Sequence, residues 1–344
     1  KTDNTASGVL NLQLRTILGD FYRVEAFLGE GCCGFVTRCR NTETNQAVAI
    51  KVNKDTPPIR EQAQKEILML KQLQDLDPDS CNIVKWNGLF LDRQHICLNF
   101  ELLDQSLLDY IRDRYIQGLP ISQLRPILYQ LINALSHLSS KEIVHTDLKT
   151  DNLMVVDRSQ FPVKVKIIDF GLARNISSLK PDDRVQNRWH RAPEAMIGAP
   201  LNQAIDMWSL GLIAVELATG LPLYPDSVLD CGSYTKCYFD LLVSLIKQML
   251  HLDSTQRITP LGAPEHPFFN SENTEDQSLS FEPLPECAQG IWCQYTFGGH
   301  CNKQKCILPY NLLADLLSCY SHNLFSSNCW ISLLDSLIAT CSYI

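Results

Sequence analysis

The sequence has 344 residues, 45% of them hydrophobic, enough for a large core arranged as one big domain or as two lobes sharing a cleft. Its 30 Lys and Arg face 38 Asp and Glu, a formal net charge of -8, so no basic field recommends nucleic acid or an anionic membrane, and neither is expected as a partner. Fourteen cysteines would suit a secreted protein, but no signal peptide is legible and Cys32 and Cys33 are adjacent in a tight loop; reduced thiols in an intracellular protein, in nucleus or cytoplasm, are expected.

Residues 1–20 read as an N-terminal extension. From Phe21 the pattern is strand, glycine turn, strand: Tyr22 to Leu28, then Gly29-Glu30-Gly31-Cys32-Cys33-Gly34, then Phe35 to Cys39. Three glycines at Gly29, Gly31 and Gly34 let a backbone lie close over phosphates, because a Cβ there would hold the chain away. A helix follows such a turn in dinucleotide-binding folds, whereas a strand follows here. Ala47 to Val52 is a third strand with Lys51 alone in an apolar setting, costly unless paired. The helix expected over 59–74 offers Glu66, which can anchor Lys51 so that its ammonium meets the α- and β-phosphates of a nucleotide; the alternative is a solvated Glu66 like Glu61. Two more strands are expected near 83–90 and 95–101. The polar linker that follows the second of them reads as a hinge, with Phe100 bordering a base pocket, or else an ordinary core residue, and backbone groups of Glu101 and Leu103 available to the base.

Residues 122–139 carry Leu124, Ile127, Leu128, Leu131, Ile132, Leu135 and Leu138 at three- and four-residue steps, an amphipathic helix. It delivers the chain to His145-Thr146-Asp147-Leu148-Lys149-Thr150-Asp151-Asn152 and, after an apolar strand, to Asp169-Phe170-Gly171. That constellation fits phosphoryl transfer. Asp147 can accept the proton of an attacking hydroxyl, Lys149 can neutralise the transferred phosphate, and Asn152 with Asp169 can hold Mg²⁺ between nucleotide oxygens. The polar span 172–190 has the composition of a mobile loop and ends at Arg191-Ala192-Pro193-Glu194, where Arg257 is the expected bidentate partner of Glu194. Residues 205–217 are apolar on nearly every face and should form a helix at the centre of the lobe, with Asp206 capping it and reaching toward the catalytic loop backbone.

In order and spacing, the Gly-rich loop, Ala49-Ile50-Lys51, Glu66, His145-x-Asp147, Asn152, Asp169-Phe170-Gly171, Ala192-Pro193-Glu194, Asp206-x-Trp208-Ser209-x-Gly211 and Arg257 resemble the eukaryotic protein kinases across about 22–269. Within them, the stretches Phe100 to Leu107, Gln186 to Glu194, Ala204 to Gly211 and Leu221 to Pro225, with the non-Arg Thr146, resemble the homeodomain-interacting protein kinases, relatives of the dual-specificity tyrosine-regulated kinases. The resemblance implies an α+β bilobal fold over 21–269: an N-lobe (21–101) with a five-stranded antiparallel sheet and one helix, and a mainly helical C-lobe (104–269), shortened after Pro225. It implies a Ser/Thr kinase, often proline-directed, using ATP and Mg²⁺ on protein substrates that include transcription regulators; a nucleotide-binding scaffold or competitor with little transfer is the alternative. It places Gly29, Glu30, Gly31, Gly34, Val36, Ala49, Lys51, Phe100, Glu101, Leu103 and Ser106 around ATP, with Ser106 near the ribose, and Arg188 at the position that favours proline after the acceptor.

The departures concern regulation. The family's activation-loop tyrosine is matched by Arg184, and Thr146 lacks the guanidinium that grips a loop phosphate, so loop order must come from other contacts. Between Pro225 and the helix expected over 238–250, only 226–237 stand where the family has a helix and an insert. Beyond Phe269 the tail, 270–344, is of another composition. Its Cys287, Cys293, His300, Cys301 and Cys306 include no Cys-x-x-Cys and fit no usual zinc spacing. Its longest apolar stretch is interrupted by Asp335 and is shorter than the roughly 18 residues of a membrane span. The sequence does not speak to an oligomeric state.

Overall fold

The computed structural model describes residues 14–114, 118–220 and 240–270, Asp240 by its backbone alone; the expectations for 226–237 and for the tail lie outside them. The first lobe is a curled antiparallel sheet built from β1 (Ile17–Leu18), β2 (Tyr22–Gly31), β3 (Gly34–Asn41), β4 (Ala47–Asn53), β5 (Trp86–Asp92) and β6 (His95–Glu101), in the order β1-β2-β3-β4-β6-β5. Helix α1 (Pro57–Leu73) is inserted between β4 and β5. Alternation sorts the strands: in β4, Val48, Ile50 and Val52 point into the core while Ala49 and Lys51 point to the other face.

The sheet has six strands, not the expected five. The sixth is β1, inside the stretch read as an N-terminal extension. Gly19 makes the fold-back possible: its φ of +54° is left-handed, a Cβ there would meet the Phe90 ring at 2.9 Å, and its N–H donates to Asp92 Oδ1 at 3.1 Å. Leu18 is then fully buried among Val24, Cys39, Val48, Ile50, Val52 and Cys97, a contribution of about 2 kcal/mol. The fifth strand also begins later than Ile83. Ile83 instead makes a parallel bridge to Ile167, with Val84 N–H donating to Ile167 O at 3.0 Å and Ile167 N–H to Asn82 O at 2.9 Å. Backbone groups committed to the second lobe cannot also serve the sheet.

The second lobe is mainly helical: α2 (Leu107–Arg114), α3 (Ile121–Ser140), α4 (Pro193–Met196), α5 (Ala204–Thr219), α6 (Asp240–Met249) and α7 (Pro267–Asn270). The apolar stripe of α3 is buried at every position predicted, and α5 buries all residues from Ile205 to Val215. Two small sheets frame the catalytic loop: β7 (Gln105–Ser106), β9 (Leu153–Val155) and β10 (Val165–Ile167) in the order β10-β9-β7, and β8 (Ile143–Val144) with β11 (Arg174–Asn175). This is the bilobal α+β arrangement expected. The five described cysteines are free thiols, and no described helix is long and apolar enough to cross a membrane.

Candidate active site

Residues 14–114, 118–220 and 241–270 cluster as one compact unit, and its two lobes meet at Lys51. The ammonium of Lys51 lies 2.8 and 2.9 Å from the two oxygens of Glu66 and 2.9 Å from Asp169 Oδ1. Glu66 is 2% exposed on the inner face of α1, whereas Glu61, 67% exposed, pairs with Lys65 on the outer face. Burial works against the Lys51 charge, but Glu66 and Asp169 outweigh it and hold the ammonium above the ordinary lysine range. Burial pushes the Glu66 carboxyl up, with Lys51 pulling against it. Desolvation also opposes ionisation of Asp169, yet Lys51 more than offsets it and the carboxyl is lowered.

The catalytic loop hangs from the start of α5. Asp206 does not cap α5 as expected, the N-cap residue being Gln203: its two oxygens instead accept the backbone N–H groups of His145 at 2.6 Å and Thr146 at 3.0 Å, and burial pushes its carboxyl up against those donors. The partners of His145 assign its tautomer: Nδ1 accepts Asp147 N–H at 3.3 Å, so Nε2 carries the proton and donates to Ile168 O at 3.0 Å. Its ring packs edge-on against buried Phe170 at 5.2 Å. Thus oriented, Asp147 Oδ2 receives Lys149 Nζ at 3.0 Å and Asn152 Nδ2 at 3.1 Å, and Asn152 also ties the loop by donating to Asp147 O at 2.8 Å. Asp147 Oδ1 has no hydrogen-bond partner among the described residues and is free to accept a proton.

Two oxygens are left in the same way for a cation. Asn152 spends its amide N–H groups on Asp147, and Asp169 spends Oδ1 on Lys51 and Gly171, so Asn152 Oδ1 and Asp169 Oδ2 have no partner among the described residues. No three His, Cys, Asp or Glu of the described residues come together as a metal cluster. A pair of hard oxygens fits Mg²⁺, which keeps waters and takes its remaining ligands from phosphates.

The β2–β3 hairpin extends over this face of β4. Val36 pairs in register with Lys51, and Ala49 with Phe100. The three glycines differ in their reason. A Cβ on Gly34 would sit 2.0 Å from Val52 O, so the protein itself demands glycine, whereas a Cβ on Gly29 or Gly31 would meet nothing within 4 Å. At the hinge, Glu101 N–H is used on Lys85 O at 3.0 Å, while the Leu103 backbone makes no hydrogen bond among the described residues. Ser106, placed near a ribose by resemblance, has a local duty: its hydroxyl accepts Asp109 N–H at 3.0 Å and donates to Asp109 Oδ2 at 2.6 Å, capping α2.

Lys166 was not anticipated, although a signal was there: in Val163-Lys164-Val165-Lys166-Ile167-Ile168 an ammonium sits directly before an apolar pair in a short strand. Only 1% exposed, it reaches Glu101 Oε1 at 2.6 Å and Asp79 Oδ1 at 2.9 Å, tying the hinge to the strand that leads to Asp169. Lys166→Met is expected to cost about 2 kcal/mol by removing the buried ammonium from Glu101, which keeps only the Lys85 N–H at 2.6 Å, with a lower melting temperature and weaker Mg-ATP stabilisation in a thermal melt.

Side-chain and backbone hydrogen bonds hold the segment that follows Gly171. Thr146, at φ +63°, donates its hydroxyl to Leu172 O at 2.7 Å, and its carbonyl accepts Gln186 N–H at 2.8 Å. Gln186, also unanticipated, donates to Ile205 O and Ser209 Oγ, both at 2.8 Å, and accepts Ala192 N–H at 2.9 Å. Arg191 holds the carbonyls of Val185 and Gln186 at 2.9 and 3.0 Å. The span read as mobile from its composition is thus tied at several points, because the ties run to residues outside it. Arg184 is exposed, and no hydrogen bond or ion pair holds it among the described residues. The Arg188 guanidinium stacks 5.5 Å from the Trp189 ring. Beyond the segment, Arg257 meets both oxygens of Glu194, at 2.7 and 3.1 Å.

Comparison with known proteins adds a family and a set of relatives. The family described as Protein kinase domain matches residues 22–269. The chain is 41% identical over 209 residues to homeodomain-interacting protein kinase 1 of Caenorhabditis elegans, a match covering 61% of this chain and 25% of that protein. It is 42% identical over 204 residues to homeodomain-interacting protein kinase 2 of Mus musculus, covering 59% of this chain and 17% of the relative. Against homeodomain-interacting protein kinase 4 of Homo sapiens it is 35% identical over 208 residues, covering 60% and 34%. The chain therefore spans between 17% and 34% of the length of these relatives.

Proposed function

The chain belongs to the protein kinase family, and on that premise we propose that it transfers the γ-phosphoryl group of Mg-ATP to serine and threonine hydroxyls of proteins, with a preference for acceptors followed by proline. The observation that carries this reading is the oxygen Asp147 Oδ1, left free while Lys149 and Asn152 occupy Oδ2. In the proposed reaction the acceptor hydroxyl gives its proton to Oδ1 as its oxygen forms a bond to the γ-phosphorus, and the bond to the β-phosphate bridging oxygen breaks. Lys149 stands beside the attacking oxygen and offsets charge on the phosphoryl group. Lys51, aimed by Glu66, meets the α- and β-phosphates; Gly29, Glu30 and Gly31 cover them, with Val36, Ala49, Phe100, Glu101 and Leu103 around the base. Mg²⁺ held by Asn152 and Asp169 would neutralise phosphate charge. Most of the rate enhancement then comes from positioning and electrostatics.

The proline preference rests on Arg188 standing at the position that favours proline in the family it resembles. The free, exposed Arg184 and the hydroxyl clasp of Thr146 on Leu172 O support an activation segment ordered without phosphorylation. The domain is proposed to run over 21–269, with lobes 21–101 and 104–269, the first lobe extended at its start by β1, whose Leu18 completes its core. Homeodomain interaction is in the names of the relatives, and transcription regulators in nucleus or cytoplasm are the proposed substrate class.

The test is transfer from γ-labelled ATP to matched peptides bearing Ser-Pro, Ser-Ala or Tyr-Pro. Label is expected first on Ser-Pro and none on tyrosine, and Asp169→Asn should abolish it. Thermal stabilisation by Mg-ATP with no transfer to any peptide would mark a nucleotide-binding scaffold instead.

A further inference from the structure

The hairpin between β2 and β3 turns through Cys32 and Cys33, held between the paired glycines Gly31 and Gly34. Their sulfurs lie 3.4 Å apart. A disulfide needs about 2.05 Å between sulfurs and at least ~4.4 Å between Cα atoms, whereas neighbouring residues across a trans peptide are fixed at about 3.8 Å. The spacing instead suits two sulfurs bonded to one common atom: with bonds of about 2.3 Å, a separation of 3.4 Å subtends about 95°. A tetrahedral ion with the same bonds would spread the sulfurs to about 3.8 Å, while a trivalent centre with a lone pair is pyramidal and closes its angles toward a right angle.

We propose that Cys32 and Cys33 form a dithiol site for a trivalent arsenical, and that its occupancy excludes nucleotide; the second half rests on the nucleotide reading above. Position supports both halves. Cys32 is exposed and Cys33 half-buried, within electrostatic reach of Lys51 and Asp169. The turn is anchored, since Cys33 O accepts Lys54 N–H at 2.8 Å and Gly34 is wedged under Val52 O. Cys32 is exposed at the tip of the hairpin, so an adduct has room there. Burial, reinforced by the contact with Cys32, raises the Cys33 thiol to about 11. Cys33 therefore reacts second, giving up its proton to the arsenic-bound oxygen as the ring closes. Arsenical addition needs no oxidant: Cys32 adds first and Cys33 closes the ring. Two S–H bonds and the arsenic–oxygen bonds break, two arsenic–sulfur bonds form, both protons leave with the oxygen as one water, and arsenic remains trivalent.

Phenylarsine oxide on the full chain tests this, read by mass mapping and by binding of a fluorescent ATP analogue, with Cys32→Ser and Cys33→Ser as comparisons. One bridging adduct is expected on the hairpin peptide. Nucleotide binding should be lost at concentrations at least tenfold lower in the native chain than in either variant, and restored by 1,2-ethanedithiol but not by an equal thiol concentration of 2-mercaptoethanol. An adduct that forms equally in Cys33→Ser, one that maps elsewhere, or undiminished nucleotide binding with the hairpin occupied overturns the proposal. Because mass reports the adduct independently of phosphoryl transfer, a chain that takes the arsenical but labels no peptide counts against the kinase reading alone.

Discussion

Replacing Asp147 by Asn is expected to lower phosphoryl transfer by about 10²–10⁴-fold, the usual worth of a positioned proton acceptor. Asparagine keeps the size of the side chain and can still accept a hydrogen bond, so the loop, pinned by Asp206 on the N–H groups of His145 and Thr146, should hold its shape. What is lost is the basic oxygen: the amide oxygen is far too weak a base to take a proton from an acceptor hydroxyl. The loss should therefore fall on kcat, with nucleotide affinity retained, because Lys51, Glu66 and Asp169 make their contacts without Asp147. Single-turnover transfer and nucleotide titration on the same preparation separate the two. A variant that retains full transfer would remove Asp147 from the proposed mechanism.

The largest loss of stability is expected from Arg257→Ala, about 3–5 kcal/mol, because breaking a buried pair strands the surviving charge. The Arg257 side chain is fully buried, and besides Glu194 it serves Ala204 O at 2.8 Å and His251 O at 2.9 Å and stacks 5.1 Å from Trp208. One side chain thus joins the end of the segment at Glu194, the start of α5 and the chain after α6. In a thermal melt the shift should be roughly 10 °C for a domain of this size. The double variant Arg257→Met with Glu194→Leu should recover part of the loss, since replacing both charges by apolar groups leaves none unpaired. A double variant no better than Arg257→Ala would assign the cost to the carbonyl contacts and the Trp208 stack rather than to the stranded carboxylate.

Most of the strands, the three long helices and the order of the site residues were legible in the sequence because they depend on local chemistry. Period-two alternation puts Val48, Ile50 and Val52 on one side of β4 and Lys51 on the other; three- and four-residue steps give α3 its buried stripe. The short loop from His145 to Asn152 must bring its polar groups close whatever surrounds it. Strand β1 was missed because two residues carry no periodicity, and their burial depends on a left-handed glycine and a carboxylate 73 positions away. The first residue of β5 was misplaced because Ile83 belongs to a bridge with Ile167.

What the sequence determined by itself is the set of groups a phosphoryl transfer needs, which follows from their order and spacing along the chain, and, through the resemblance those motifs carry, the fold class. What only the tertiary structure decided is which of those groups meet. Glu66 rather than Glu61 turns to Lys51 because α1 buries that face, Lys166 finds Glu101 across 65 positions, and Asp147 is left with one free oxygen because Lys149 and Asn152 converge on the other. The physical reason is the same in each case: a buried charge takes the partner that packing places within about 3 Å, and packing joins residues whose distance along the chain carries no trace of their contact.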